Sequence, residues 1–319
     1  MVYLLPTFIS FSIGYLLLRL ILRRDAPPLP LMFFFSASAG MGVSAIIVFS
    51  SLVFLGKLAA WYAIGIHILL LVALAALTGK LLPPGQRFPL GEVKGSDLVG
   101  LSLLGLCMIP VVSHALLYPQ GGWDAWSCWN LKARFIFLGG EDWKNMFDPL
   151  LWRSNIAYPL LLPCLNVWSW CFGKDPAGAV PLANSCLITF VTAGTLLFSI
   201  KKLAGRLHAI LAPVWLLSIL FAVKLASSQY SDLMVGNYYL AAAVAYLYFE
   251  KTGARAWLAV TALMLGFLSF TKSEGLVLAL VTAFTVIAIR AVRSPDRKEL
   301  RRDAAAFFVT LIAASLPTI

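Results

Sequence analysis

Apolar runs of roughly 17–25 residues recur along this chain, parted by short charged or Pro/Gly-containing breaks. Such a run is what a helix needs to cross a bilayer, where every backbone polar group must be satisfied within the segment. The runs lie at 2–22, 31–55, 58–79, 98–118, 178–200, 207–225, 233–249, 255–271, 275–293 and 304–319. The expected fold is all-α: a polytopic membrane protein with about ten transmembrane helices. Of 319 residues, 61% are hydrophobic and 12% charged, against about 25% charged in soluble domains. No stretch is polar enough to form a separate soluble domain. The first run has no positive residue before it and no small-residue cleavage site after it, and Arg19, Arg23 and Arg24 mark its end. That is the pattern of a retained span, not a removed signal. The last run reaches Ile319 without a charged flank, so the chain is expected to be C-terminally incomplete.

One further apolar stretch, 157–172, is short and holds Pro159, Pro163 and Asn166. If it does not cross, 17 of the 25 Lys and Arg fall in loops on one side and 8 on the other. If it crosses, every later loop flips and the split becomes 9 against 16. The positive-inside rule favours the first arrangement. The stretch therefore reads as a re-entrant segment or half-helix, and the N-terminus lies outside. The long loop 119–156 and the turns 226–232 and 271–275 then share the outer face. The net charge of +11 belongs to cytoplasmic loops, and nucleic acid is not an expected partner. The expected location is a bacterial plasma membrane. The five cysteines show neither metal-ligand spacing nor a disulfide framework.

Residues 123–170 contain seven of the ten tryptophans. Trp123, Trp126 and Trp129, continued by Ala133 and Phe137, predict a helix lying along the membrane surface and ended by Gly139-Gly140. A second short helix is expected from about Asp142 to Ser154. The tryptophans also fit an aromatic belt. Asp124 stands just past a span, between two indoles. It suits a partly desolvated general base or a helix N-cap, and both readings stay open. Asp232 lies at the next outer boundary, where it serves a cavity or a cap. Lys272 and Glu274 occupy a third outer turn, as a self-satisfied pair or as part of a site. His67, His114 and His208 share no ligand spacing and read as hydrogen-bonded histidines.

Taken in order, these elements resemble the GT-C superfamily of membrane glycosyltransferases, which includes the protein O-mannosyltransferases, the aminoarabinose transferases and the rhizobial lipopolysaccharide sugar transferases. GGWDAW, with Asp124, resembles the acidic start of that family's first outer loop. AYPLLLP at 157–163 resembles its Pro-Pro helix opening, with Ala157-Tyr158 where a basic residue or His stands in the family. QYSDLM, with Asp232, resembles its second acidic turn, and TKSEG at 271–275 its later TK turn. The resemblance covers about 118–290. Three spans precede the one that is first in the family. It divides the chain into an N-terminal part, 1–97, and a GT-C-like core, 98–319.

The resemblance implies transfer of a sugar from a polyprenyl-phosphate donor to an envelope glycan, lipid or protein. It implies Asp124 as base, with Asp232 assisting or sharing a magnesium or manganese ion with it. Lys272 and Arg153 are the expected phosphate-binding cations, with Lys132 and Arg134 behind them. Glu274, Trp123, Trp126 and Tyr158 are further expected substrate contacts, and the half-helix 157–172 is expected to line a groove for the lipid tail. The competing expectations are a secondary transporter and a non-catalytic scaffold of envelope assembly.

Overall fold

A computed structural model describes residues 3–82, 95–173, 176, 178–293 and 297–318. Arg87, Lys94 and Lys174, which enter the charge count, lie outside the described residues. The described chain is helical, with no strand. Its helices are α1 (Leu4–Leu22), α2 (Leu29–Leu55), α3 (Ala60–Leu81), α4 (Gly95–Leu117), α5 (Asn130–Leu138), α6 (Leu161–Trp170) and α7 (Ala179–Ala204). They continue as α8 (Arg206–Ser218), α9 (Leu220–Ser227), α10 (Asp232–Thr252), α11 (Arg255–Ser269), α12 (Ser273–Arg293) and α13 (Arg297–Ser315).

Among the described residues, six helices are long and apolar enough to cross a membrane: α1, α2, α3, α4, α7 and α12. This is a membrane protein by that measure. A seventh span exists if α8 and α9 count as one, but they meet at a 75° bend. The expected continuous run 207–225 is thus divided into two helices. At the break, Ile219 leaves the helical region with ψ 115°. The remaining expected spans fall short for separate reasons. α11 has only 15 residues. α10 carries Asp232, Asn237 and a Glu250-Lys251 end. α13 opens with RKELRRD, which leaves a short apolar remainder.

α2 is the central element, packing on α1, α3, α6 and α7. Small residues let it approach α1 closely, as in membrane helix pairs generally. Ser36, Gly40 and Ser44 lie four residues apart and face Ser10 and Gly14. A Cβ on Gly40 would sit 2.0 Å from the Ser10 carbonyl oxygen, and one on Gly14 would sit 2.0 Å from that of Ser36. The Ser10 and Ser44 hydroxyls hydrogen-bond at 2.6 Å across the crossing. Replacing Gly40 by Leu is therefore expected to force the pair apart and destabilise the fold by about 3 kcal/mol or more. Thermal unfolding in detergent, followed by size-exclusion chromatography, checks this. An unchanged midpoint would show that the crossing does not matter.

Loops gather at two ends. Lys201 pairs with Asp97, so the end of α7 meets the start of α4. The other ends of these helices meet too, since Gln120, just past α4, and Pro181, on α7, line one pocket. α6 therefore lies between two helix ends at the same side of the bundle. At ten residues it is about 15 Å long, half a hydrocarbon core. Every residue of it is buried. At the opposite end, buried Asp303 takes Arg255 at 2.6 Å and Arg290 at 2.7 Å, which ties α11, α12 and α13 together.

Candidate functional site at the loop end

The segment 119–156 is welded to the bundle at both ends. Gly121 has φ +73°, a left-handed conformation that favours glycine. Gly122 donates its N–H to the Ser228 carbonyl at 3.1 Å. A Cβ there would lie 2.2 Å from the Tyr230 hydroxyl, so a larger residue would have to push the tip of that tyrosine aside. Asp124 follows, and its backbone N–H points at the Tyr230 hydroxyl at 3.4 Å. Further along, Trp143 donates its indole N–H to the Gly56 carbonyl at 2.8 Å, and Glu141 pairs with Lys57 at 2.9 Å.

The expected surface helix forms, but with a π turn at Ala125–Trp129 before α5. The extra residue in that turn rotates the tryptophan stripe. Trp129 is buried, while Trp123 and Trp126 stand exposed with their rings 4.4 Å apart edge to face. π turns recur at functional positions in helices. The expected second helix divides into two 3₁₀ segments, Gly140–Phe147 and Pro149–Ser154. Asp148 is extended before Pro149, which lacks an N–H, and its carboxylate accepts the Leu150 N–H at 2.8 Å.

Three turns converge here. Ser231 donates its hydroxyl proton to the Thr271 carbonyl at 2.8 Å, joining the α9–α10 turn to the α11–α12 turn. Leu161 donates its N–H to the Phe270 carbonyl at 3.2 Å, bringing in the start of α6. The result is a charged cluster. Lys272 lies 3.1 Å from Asp232 and 3.6 Å from Glu274, with its ammonium 5.4 Å from the centre of the Tyr158 ring. Burial pulls the Lys272 ammonium down, but Asp232, Glu274 and Tyr158 together outweigh it and hold its pKa above the usual lysine value. Burial raises the Tyr158 hydroxyl, Lys272 opposes, and Glu274 and Asp124 lie close enough to raise it further. Tyr158 stacks on Trp129 at 5.3 Å. Asp124, Asp232, Lys272, Glu274 and Tyr158 thus share one neighbourhood. Among the described residues, the Asp124 side chain has no hydrogen-bond or ion-pair partner.

The other expected cations lie elsewhere. Lys132 is wholly buried and donates to the carbonyls of Asn155 (2.8 Å), Ile156 (3.3 Å) and Tyr158 (3.0 Å). All three of its protons are engaged, so it holds the loop that carries Tyr158 and has no donor left for a phosphate. Burial lowers its ammonium to about 8, with Cys128 opposing. Three carbonyl acceptors favour the charged form and work against that fall. Lys132→Met is expected to lower stability by about 2–3 kcal/mol, since bonds from a charged donor are lost while its desolvation is relieved. A fall in the unfolding midpoint with a locally loosened 155–158 segment by hydrogen exchange checks this. Arg153 is exposed and lies over the Trp152 ring at 5.2 Å. Arg134, two residues from Lys132 and so on another side of α5, faces a small pocket of its own.

Sequence reasoning missed the amides beneath the cluster. Asn184 donates to Asn166 at 2.9 Å, Asn166 to Asn130 at 3.2 Å, and Asn130 to Gln229 at 2.9 Å. Gln229 in turn donates to the Pro119 carbonyl at 2.9 Å. Lone amides within apolar stretches were the available signal. Cys128 is buried beside Asp124 and Lys132, and burial pushes its thiol up to about 11. His67 and His114 are hydrogen-bonded, to the Ala63 carbonyl and the Ser227 hydroxyl, both at 2.7 Å. Among the described residues, no three His, Cys, Asp or Glu side chains converge as a metal cluster. Asp232 engages Lys272 through one oxygen, Oδ1. No protein-family model matches the chain, and neither a curated protein nor a solved structure matches it.

Proposed function

We propose that this protein is a membrane glycosyltransferase of the GT-C kind. It moves a sugar from a polyprenyl-phosphate donor to an envelope glycan, lipid or protein at the outer face of a bacterial plasma membrane. The observation that carries the reading is the convergence of Asp232, Glu274 and Tyr158 on Lys272, with the unpartnered carboxylate of Asp124 near Tyr158. Lys272 is largely withdrawn from solvent beside an apolar bundle, and ionisable groups held in such places commonly mark a site.

In the reaction, an acceptor hydroxyl oxygen bonds to the anomeric carbon as the bond from that carbon to the phosphate oxygen breaks. Asp124 takes the hydroxyl proton. Charge gathers on the departing polyprenyl phosphate, and Lys272 is the cation held in place to meet it. Asp232 and Glu274 keep Lys272 charged and positioned. Trp123 and Trp126 offer exposed ring faces to sugar. Asp124 and Asp232 are also the residues that would hold a magnesium or manganese ion, which would neutralise the phosphate. Two carboxylates plus phosphate oxygens are the sparse protein ligation that magnesium accepts.

The test is transfer of radiolabelled sugar from a polyprenyl-phosphate donor into envelope material, comparing the wild type with Asp124→Asn at equal expression. Equal transfer by both would remove Asp124 and favour the other readings. One observation favours transport instead: the 75° break between α8 and α9, since transporters use discontinuous helices at their sites. Solute flux in proteoliposomes that persists in Asp124→Asn would support that alternative.

A further inference from the structure

Two cavities flank the buried helix α6, and neither is the Lys272 cluster. The larger, about 410 Å³, lies between α1, α2, α6 and α7, and its walls are almost wholly apolar, among them Phe11, Leu165, Trp168 and Phe190. Leu4, Phe8 and Phe33 also line it and are exposed, so it opens on the surface that these spans give to lipid. The smaller, about 90 Å³, is lined by Arg134, Gln120, Asn130, Trp126 and Trp170.

No residue lines both, but the two border on residues close together on α6 and α7. Asn184 lines the larger and Pro181 the smaller, one turn apart on α7. Ser169 lines the larger and its neighbour Trp170 the smaller. The amide run from Asn184 through Asn166 to Asn130 passes from one to the other. Among the described residues, the Arg134 guanidinium has no acidic partner. An apolar slot beside a chamber of arginine, amides and indole matches a ligand with a hydrocarbon chain and an anionic head. The small chamber has room for several waters, which admits a phosphate group.

We infer that these cavities form one lipid-phosphate site, with the chain in the slot beside α6 and the phosphate at Arg134. It is separate from Lys272, which sits at the start of α6, whereas Trp170 is that helix's last residue. The half-helix lines the apolar slot, and the cation assigned to the head group is Arg134. In the transferase reading, on which only its role rests, this is the place of a lipid-anchored acceptor. Binding itself requires no turnover.

The test is binding of dodecyl phosphate, with dodecanol as the uncharged probe, to full-length protein in phosphatidylcholine nanodiscs. Dodecyl phosphate is expected to bind more tightly than dodecanol. Arg134→Gln should weaken it about ten- to hundredfold, the loss of a charge-assisted contact. Thr7→Trp, which fills the slot, should weaken both probes, while the share of binding that Arg134→Gln removes should persist in Lys272→Met and Asp124→Asn. The site is refuted if dodecanol binds as well as the phosphate. It is also refuted if Lys272→Met removes binding and Arg134→Gln does not. Loss of transfer in Asp124→Asn with intact binding keeps the two readings apart.

Discussion

Asp124→Asn is expected to lower the turnover of sugar transfer by about 10²–10⁴-fold while leaving donor affinity nearly unchanged, the span typical of losing a general base. The substitution is close to isosteric, and the carboxylate has no partner in the fold among the described residues, so no ion pair or cap is broken. The backbone contact to the Tyr230 hydroxyl is made by the main chain and survives the change. Unfolding temperature should therefore stay the same. Asp124 precedes the π turn, yet its side chain makes no capping hydrogen bond there, so the alternative of an N-cap has no contact behind it. Asp124→Glu keeps the chemistry but lengthens the side chain, and an intermediate rate is expected. Measured kcat and KM with a polyprenyl-phosphate sugar decide the matter. A variant with wild-type kcat would end the base assignment.

The membrane class and the half-helix were legible in the sequence because both follow from length. The stretch 157–172 forms a ten-residue helix, about half the length that a span needs. The span count was less legible. Hydropathy over 207–225 is continuous, but the backbone breaks at Ile219, where neither proline nor glycine stands to mark it. The charged cluster could be read from Asp232 and the TKSEG turn, since both close helix ends on one side. The fate of the other cations could not. Lys132 and Arg134 look alike in sequence and are two residues apart. One is buried on three carbonyls and the other lines a chamber, a difference set by the tertiary packing of 155–158. Of the amides only Asn166 stood out, as a polar break in 157–172, and only their succession through four elements forms a path.

Lys272→Met is expected to reduce transfer by about 10²–10³-fold, the usual cost of removing one donor aimed at developing negative charge. Unlike the change at Asp124, it should also raise the KM for the donor, because a phosphate is anionic before as well as during the reaction. A structural reading exists: Lys272 neutralises Asp232 at 3.1 Å, and its loss leaves that carboxylate repelling the phosphate. The double variant Asp232→Asn/Lys272→Met distinguishes the two. If Lys272 only balances Asp232, removing both restores transfer. If Lys272 meets the phosphate, the double variant stays as slow as Lys272→Met, and Lys272→Arg recovers part of the rate. The pH profile adds a constraint. The net pull of Asp232, Glu274 and Tyr158 raises the Lys272 pKa, so the charge is complete at neutral pH and is lost only as pH climbs above the ordinary lysine value of about 10.4. A fall in activity between pH 7 and pH 9 that disappears in Lys272→Arg would contradict that charge state and, with it, this assignment of the phosphate's partner.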